Sequence, residues 1–185
     1  MKIIILDRDG VINHDSKEFI KSPDEWIPIP GSLEAIARLT HSGYRVYVAS
    51  NQSGIGRGMF DIETLNAIHE KMLLELQKLG GRIEAILFCP HSPDQHCDCR
   101  KPKAGLYQQI ALRTNQSLQD VPVIGDSMRD LEAAVSVGAR PILVRTGKGS
   151  QTLMQYADFL SGILCFDSLA QAVDALINES SAEMT

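Results

Sequence analysis

No stretch of the 185-residue chain is apolar for long enough to cross a bilayer. The opening apolar run meets Asp7 too soon to form the core of a secretion signal, so the expected location is the cytoplasm. An excess of positive charge is also missing. The formal net charge is -5, which excludes a general electrostatic grip on nucleic acid or anionic lipid. Aromatic residues make up 5% of the chain and offer no platform for stacking single-stranded bases. Neither nucleic acid nor membrane is therefore an expected partner, although a local basic pocket for a small phosphorylated ligand remains open. Nothing repeats along the chain. What is present, 44% hydrophobic and 22% charged residues, suits one globular domain over 1–185, expected as a monomer.

Apolar runs alternate with amphipathic ones. Strands are expected at 2–6, 44–50, 82–89, 121–126, 141–146 and near 162–166. Helices are expected at 32–42 with Ser32 as cap, from Asp61 to the Gly80-Gly81 stop, and at 105–114, 127–137, near 150–157 and 168–178. SGIGRG (53–58) reads as a loop, 90–105 as irregular, and 179–185 as a frayed tail. Such alternation predicts an α/β fold: a Rossmann-like three-layer domain around a mainly parallel sheet. Ligands of such sheets sit beyond the carboxyl ends of the strands, where the strand order reverses.

That rule gathers the polar features of the sequence. Asp7 and Asp9 follow the first strand, Ser50 and Asn51 the second, a Cys/His stretch the third, and Gly125-Asp126 the fourth. Two carboxylates two residues apart can share one site with separated pKa values, which suits a nucleophile and an acid/base working in turn. With Asp126 added, three carboxylates call for a cation, and all-oxygen ligands favour Mg²⁺. Asp130, one turn on, can support them. Ser50, Asn51, Ser53 and Gly54 offer donors for phosphoryl oxygens, and Arg100, Lys101 and Lys103 offer positive charge. Singly, each feature is also ordinary turn, cap or surface chemistry.

Three of the four cysteines fall in CPHSPDQHCDC, 89–99. Cys89, His91, Cys97 and Cys99 are the ligand set of a closed structural Zn²⁺ site, with His96 as a lesser substitute for His91. Free thiols or a Cys97–Cys99 disulfide are the alternatives. The metal would order a loop with little apolar content and pin Arg100 and Lys101 over the carboxylates. Cys165 lies in an apolar stretch and is expected in the core.

DRDG (7–10), SN (50–51), RKP (100–102) and GDSMRD (125–130) together resemble the haloacid dehalogenase superfamily of phosphatases. The resemblance implies that Asp7 is the nucleophile, forming an aspartyl-phosphate, and that Asp9 protonates the leaving group and then activates water. It implies that Ser50 and Lys101 hold the phosphoryl oxygens, and that Mg²⁺ is bound by Asp7, the backbone carbonyl of Asp9, and Asp126. The short connections after the first two strands leave no room for a large cap domain. Within the superfamily the zinc loop, DRDGVIN and SNQSGIGRG are similar to the phosphatases of D-glycero-D-manno-heptose 1,7-bisphosphate, whose product feeds lipopolysaccharide or related surface glycans. Histidinol-phosphate phosphatases share the same loop and are the closest alternative. The resemblance implies a small phosphorylated sugar as substrate, lined by Asp15, Ser16, Lys17, Glu18, Asn51, Gln52, Ser53 and Arg100. Ser50 stands where Thr is common, and Ser127 where the heptose enzymes often carry Lys. A receiver-type phosphate acceptor and a zinc module binding nucleic acid are the readings from other classes.

Overall fold

The structure, a computed structural model, describes residues 2–182. Six strands form one sheet: β1 (Lys2–Leu6), β2 (Tyr44–Asn51), β3 (Ala85–Cys89), β4 (Pro122–Gly125), β5 (Arg140–Val144) and β6 (Leu164–Phe166). Their order is β3-β2-β1-β4-β5-β6, and every pairing is parallel. The chain winds outward from β1 in one direction and, after returning to β4, outward in the other. The reversal therefore falls between β1 and β4, whose carboxyl ends carry Asp7 and Asp126.

The helices are α1 (Ser32–His41), α2 (Ser53–Gly56), α3 (Ile62–Lys78), α4 (Gly105–Thr114), α5 (Met128–Ser136), α6 (Gly149–Gln155) and α7 (Leu169–Ala182). Alternation along β1 sorts the two faces of the sheet. Ile4 and Leu6 pack with Ile36, Ile68, Met72 and Val173 of α1, α3 and α7, while Ile3 and Ile5 pack with Tyr107, Ile110, Ala133 and Ala134 of α4 and α5. The layers are helix, sheet, helix, as expected.

Local chemistry explains the boundaries that differ from expectation. Asp61 caps α3 by accepting from the Thr64 N–H at 2.7 Å. Ser32 is not a cap; Gly31 takes that place at φ +82°, and Ser32 Oγ instead donates to Ile12 O at 2.6 Å. β3 begins at Ala85 rather than at Arg82, whose N–H donates to Thr40 Oγ1 instead of to a neighbouring strand. Part of SGIGRG is helical, as α2. α7 runs through Ala182, so 179–182 are not frayed; the remainder of that tail lies outside the described residues. Cys165 is exposed rather than buried, because β6 is an edge strand.

The single tryptophan, Trp26, is fully buried in the cluster that contains Ile36. Ile36→Ala should cost about 2–5 kcal/mol through lost burial and the cavity left behind. Urea unfolding followed by Trp26 fluorescence measures it, and a loss well under 1 kcal/mol would contradict the packing described.

Candidate active site

The cleft sits at the carboxyl ends of β1, β2 and β4. It encloses about 290 Å³ and is lined by a floor of acids and a rim of bases. The floor is built around Lys101, whose side chain is 2% exposed. Its ammonium donates to Ala49 O at 2.6 Å and pairs with Asp7 at 2.9 Å and Asp130 at 2.5 Å. Its backbone is fixed as well: Asn51 accepts from the Lys101 N–H at 3.1 Å and donates to the Lys101 carbonyl at 3.0 Å. Asn51, expected to touch substrate, thus commits its amide to positioning Lys101. Asp130 also accepts from Ser127 N and Oγ in a capping box at the start of α5. It is a holder of Lys101, and one helix start serves both the fold and the site.

Asp7 and Asp9 occupy different surroundings. Burial pushes the Asp7 carboxyl up to about 7, with Asp130 and Asp9 adding to the rise and Lys101 opposing it. Burial raises Asp9 too, but the Arg8 guanidinium and hydrogen bonds from Asn13 and Gln52 outweigh it and hold Asp9 below the ordinary carboxylate range. Arg8, fully buried, grips both Asp9 oxygens from Nη2 at 3.0 and 3.1 Å and reaches Oδ1 again from Nε. Gln52 donates to Asp9 at 2.8 Å and to Ser50 Oγ at 2.8 Å. The two carboxyls are separated in pKa as expected of a pair, but Asp7 is the one raised and Asp9 the one kept ionised.

Asp126 is pushed up to about 8, first by burial and then by Asp130 and Asp7. Its Oδ2 accepts from the Lys148 N–H at 2.8 Å. Gly10, at φ +84°, and Gly147, at φ +56°, lie against the same carboxylate, and a Cβ at either would overlap it. The carboxylate oxygens of Asp7, Asp126 and Asp130 lie within 4.8 Å of one another. Among the described residues Lys101 is the cation in direct contact with Asp7 and Asp130, and a hard divalent cation fits the remaining negative charge and the all-oxygen donor set. The Asp9 carboxylate is not in this group; it faces Arg8.

Cys89, His91, Cys97 and Cys99 also place one ligand atom each within 4.8 Å of the others. The Cys89–Cys97 sulfurs are 3.6 Å apart, and His91 Nδ1 is 3.6 Å from Cys89 and 3.3 Å from Cys99. A tetrahedron with Zn–S about 2.3 Å and Zn–N about 2.0 Å has edges of about 3.5–3.8 Å, so the four atoms fit zinc. The cysteines are free of disulfides. Burial, then its thiol neighbours, push Cys89 up to about 12, a thiol that a bound cation would have to deprotonate.

Asp15, Ser16, Lys17, Asn51, Gln52, Ser53 and Arg100 all line the cleft, whereas Glu18 does not. At Phe19 the backbone takes φ +65°, which turns the loop so that Phe19 and Ile20 face the cleft and Glu18 faces solvent. Arg57, Arg100 and Arg129 stand close enough that, after burial, their mutual repulsion lowers Arg100. Lys148 reaches across to Asp15 at 2.8 Å. Sequence reasoning missed Arg8, His69 and Lys148. Arg8 had a signal: strand alternation sends it to the face opposite Asp7, where a charge needs a partner. Lys148 also follows a strand end, in TGKG after β5. His69 had none, since it meets the site only across the fold.

The ordinary Asp value is near 3.8, so from about pH 5 up to about 7 for Asp7 and about 8 for Asp126 metal-free folded protein keeps protons that the unfolded chain has lost. Stability contributed by those protons disappears as pH rises. Thermal midpoints without Mg²⁺, zinc retained, should fall over that interval, and Mg²⁺ should flatten the fall; a rising midpoint would refute the titrations. Stripping zinc with a chelator should raise KM for a phosphate ester severalfold before the circular dichroism of the sheet changes. An unchanged KM in zinc-free protein would show that the loop does not hold Arg100 and Lys101.

Comparison with known proteins agrees with this geometry. A family model described as Polynucleotide kinase 3 phosphatase matches residues 2–130, and one described as HAD-hydrolase-like matches residues 98–172. The D-glycero-beta-D-manno-heptose-1,7-bisphosphate 7-phosphatase of Bordetella bronchiseptica is 53% identical over 180 residues, covering 97% of this chain and 100% of that protein. Its namesake in Pseudomonas aeruginosa is 50% identical over 175 residues, covering 95% and 97%. The crystal structure of D,D-heptose 1,7-bisphosphate phosphatase from B. bronchiseptica, complexed with magnesium and phosphate, gives a TM-score of 0.94 at 53% identity, covering 97% of this chain and 99% of that one. The chain belongs to the haloacid dehalogenase-like phosphatases, in the family of the D-glycero-β-D-manno-heptose-1,7-bisphosphate 7-phosphatases.

Proposed function

We propose that the protein hydrolyses the 7-phosphate of D-glycero-β-D-manno-heptose 1,7-bisphosphate, releasing inorganic phosphate and the heptose 1-phosphate. The observation that carries this reading is the cleft itself: a nucleophile beside a buried ammonium on the floor, and separate cations on the rim. In the first half-reaction an Asp7 oxygen attacks phosphorus, the bond from phosphorus to O7 breaks, and O7 takes a proton from Asp9. In the second, water attacks phosphorus, the bond from phosphorus to the Asp7 oxygen breaks to release phosphate and the free Asp7 carboxylate, and the water gives a proton to Asp9, which is thereby recharged as the acid. Lys101 and Ser50 stabilise the charge on the transferring oxygens. Asp7, the Asp9 carbonyl and Asp126 would hold Mg²⁺, which supplies positive charge against the acids and the phosphate. Lys101 helps to keep Asp7 ionised for attack, and the negative phosphate opposes the hold of Arg8 on Asp9, favouring its protonated form.

The rim favours the bisphosphate over histidinol phosphate. Arg57, Arg100 and Arg129 attract the second phosphate of the sugar and repel the ammonium of histidinol. Zinc in the loop serves structure and has no part in the transfer.

With Mg²⁺ present, kcat/KM for the β-1,7-bisphosphate should exceed that for histidinol phosphate by roughly two orders of magnitude, or about 3 kcal/mol. Comparable values would overturn the substrate assignment. Asp7→Asn should abolish turnover of both, and a variant retaining more than about a thousandth of the activity would overturn the nucleophile.

A further inference from the structure

Arg8 is buried, and each of its three guanidinium nitrogens has a partner. Nε and Nη2 hold the Asp9 carboxylate, Nη2 also donates to Gln52 Oε1 at 3.2 Å, and Nη1 lies 3.1 Å from His69 Nε2. A guanidinium has no acceptor, so His69 Nε2 must be the acceptor and the ring proton must sit on Nδ1. His69 is 7% exposed on α3, which packs on the opposite face of the sheet from Lys101 and Asp130. Its ring stands edge-on to Phe88 of β3 at 6.2 Å between centroids. Burial, followed by the charge of Arg8, drives its pKa down to about 3, so the ring is neutral.

A neutral acceptor has a specific use here. It satisfies one N–H of Arg8 and fixes the guanidinium plane without neutralising its charge, which stays directed at Asp9. A carboxylate in its place would compete with Asp9 for Arg8; an apolar residue would leave Nη1 unsatisfied and the guanidinium held from the Asp9 and Gln52 side alone.

We propose that His69 is a positioning residue for the reaction, holding Arg8 so that the Asp9 carboxyl stays aimed at the leaving-group oxygen. The inference rests on the reading of Asp9 as proton donor given above. His69 acts from a helix that lines none of the cleft and touches no reacting atom.

Leaving-group dependence tests it. The full-length protein with Mg²⁺ is assayed on p-nitrophenyl phosphate, whose leaving group needs no proton, and on a series of alkyl and sugar phosphates, whose leaving groups do. kcat/KM reports the first transfer alone, so the later use of Asp9 as base does not enter. His69→Leu should lower kcat/KM on the alkyl esters at least roughly tenfold while leaving p-nitrophenyl phosphate within about twofold. The retained aryl activity shows that the variant is folded. His69→Gln, whose side-chain carbonyl can accept from Nη1, should restore most of the loss, and His69→Glu should not. Asp9→Asn should show the same selectivity more strongly, by roughly 10²–10⁴. Selectivity in Asp9→Asn with equal losses on both ester classes in His69→Leu, or no loss on either, overturns the role of His69 alone. No selectivity in Asp9→Asn overturns the proton-donor reading and the positioning role with it.

Discussion

The ammonium of Lys101 is buried between Asp7, Asp130 and the Ala49 carbonyl, and much of the surrounding structure keeps it there. An ammonium removed from water is tolerable only with opposite charges and hydrogen bonds around it. Asn51 fixes its backbone from β2, Ser127 fixes Asp130 from the start of α5, and the Cys/His loop delivers it from β3. Three strands and one helix thus converge on a single charge. Lys101→Ala would leave Asp7 and Asp130 facing each other uncompensated.

That arrangement divides the floor into two electrostatic halves. On one side Asp7, Asp126 and Asp130 face one another, and burial with mutual repulsion raises Asp7 and Asp126. On the other, Asp9 is enclosed by Arg8, Asn13 and Gln52 and kept ionised. The first half is short of positive charge and suits a cation; the second is saturated with donors that hold the Asp9 carboxylate in place. Gln52 joins the halves, since its amide reaches both Asp9 and Ser50. The glycines at 10 and 147 belong to the same logic, because the Asp126 carboxylate occupies the space their side chains would fill.

Order in the rim is achieved differently. The loop from Cys89 to Cys99 has little apolar surface to bury, and its four soft ligands lie within bonding reach of one ion, whose binding would order the loop in place of a hydrophobic core. Arg100 follows directly, donates to the His91 carbonyl at 3.4 Å, and stands with Arg57 and Arg129 over the acidic floor.

The sequence by itself determined the layers, the parallel sheet, the acids at the strand ends and the metal loop. Each of these is written in local pattern: period, caps, and ligand spacing within eleven residues. Boundaries slipped where a tertiary contact took over a local one, as when Ser32 bonded Ile12 instead of capping α1. Only the tertiary structure decided how the site residues divide their work. Asn51 looks like a substrate contact until Lys101, fifty residues away, is found to occupy its amide. Spacing alone does not separate the surroundings of Asp7 and Asp9, whose roles the family resemblance implied; folding sets one beside Lys101 and two further carboxylates and the other beside Arg8. Glu18 leaves the cleft because of a backbone turn at Phe19, and His69 enters the site through Arg8 across sixty-one residues. Local spacing fixes which residues can reach a strand end. Charge, burial and hydrogen bonding depend on neighbours brought together only by folding, and these set what each residue does there.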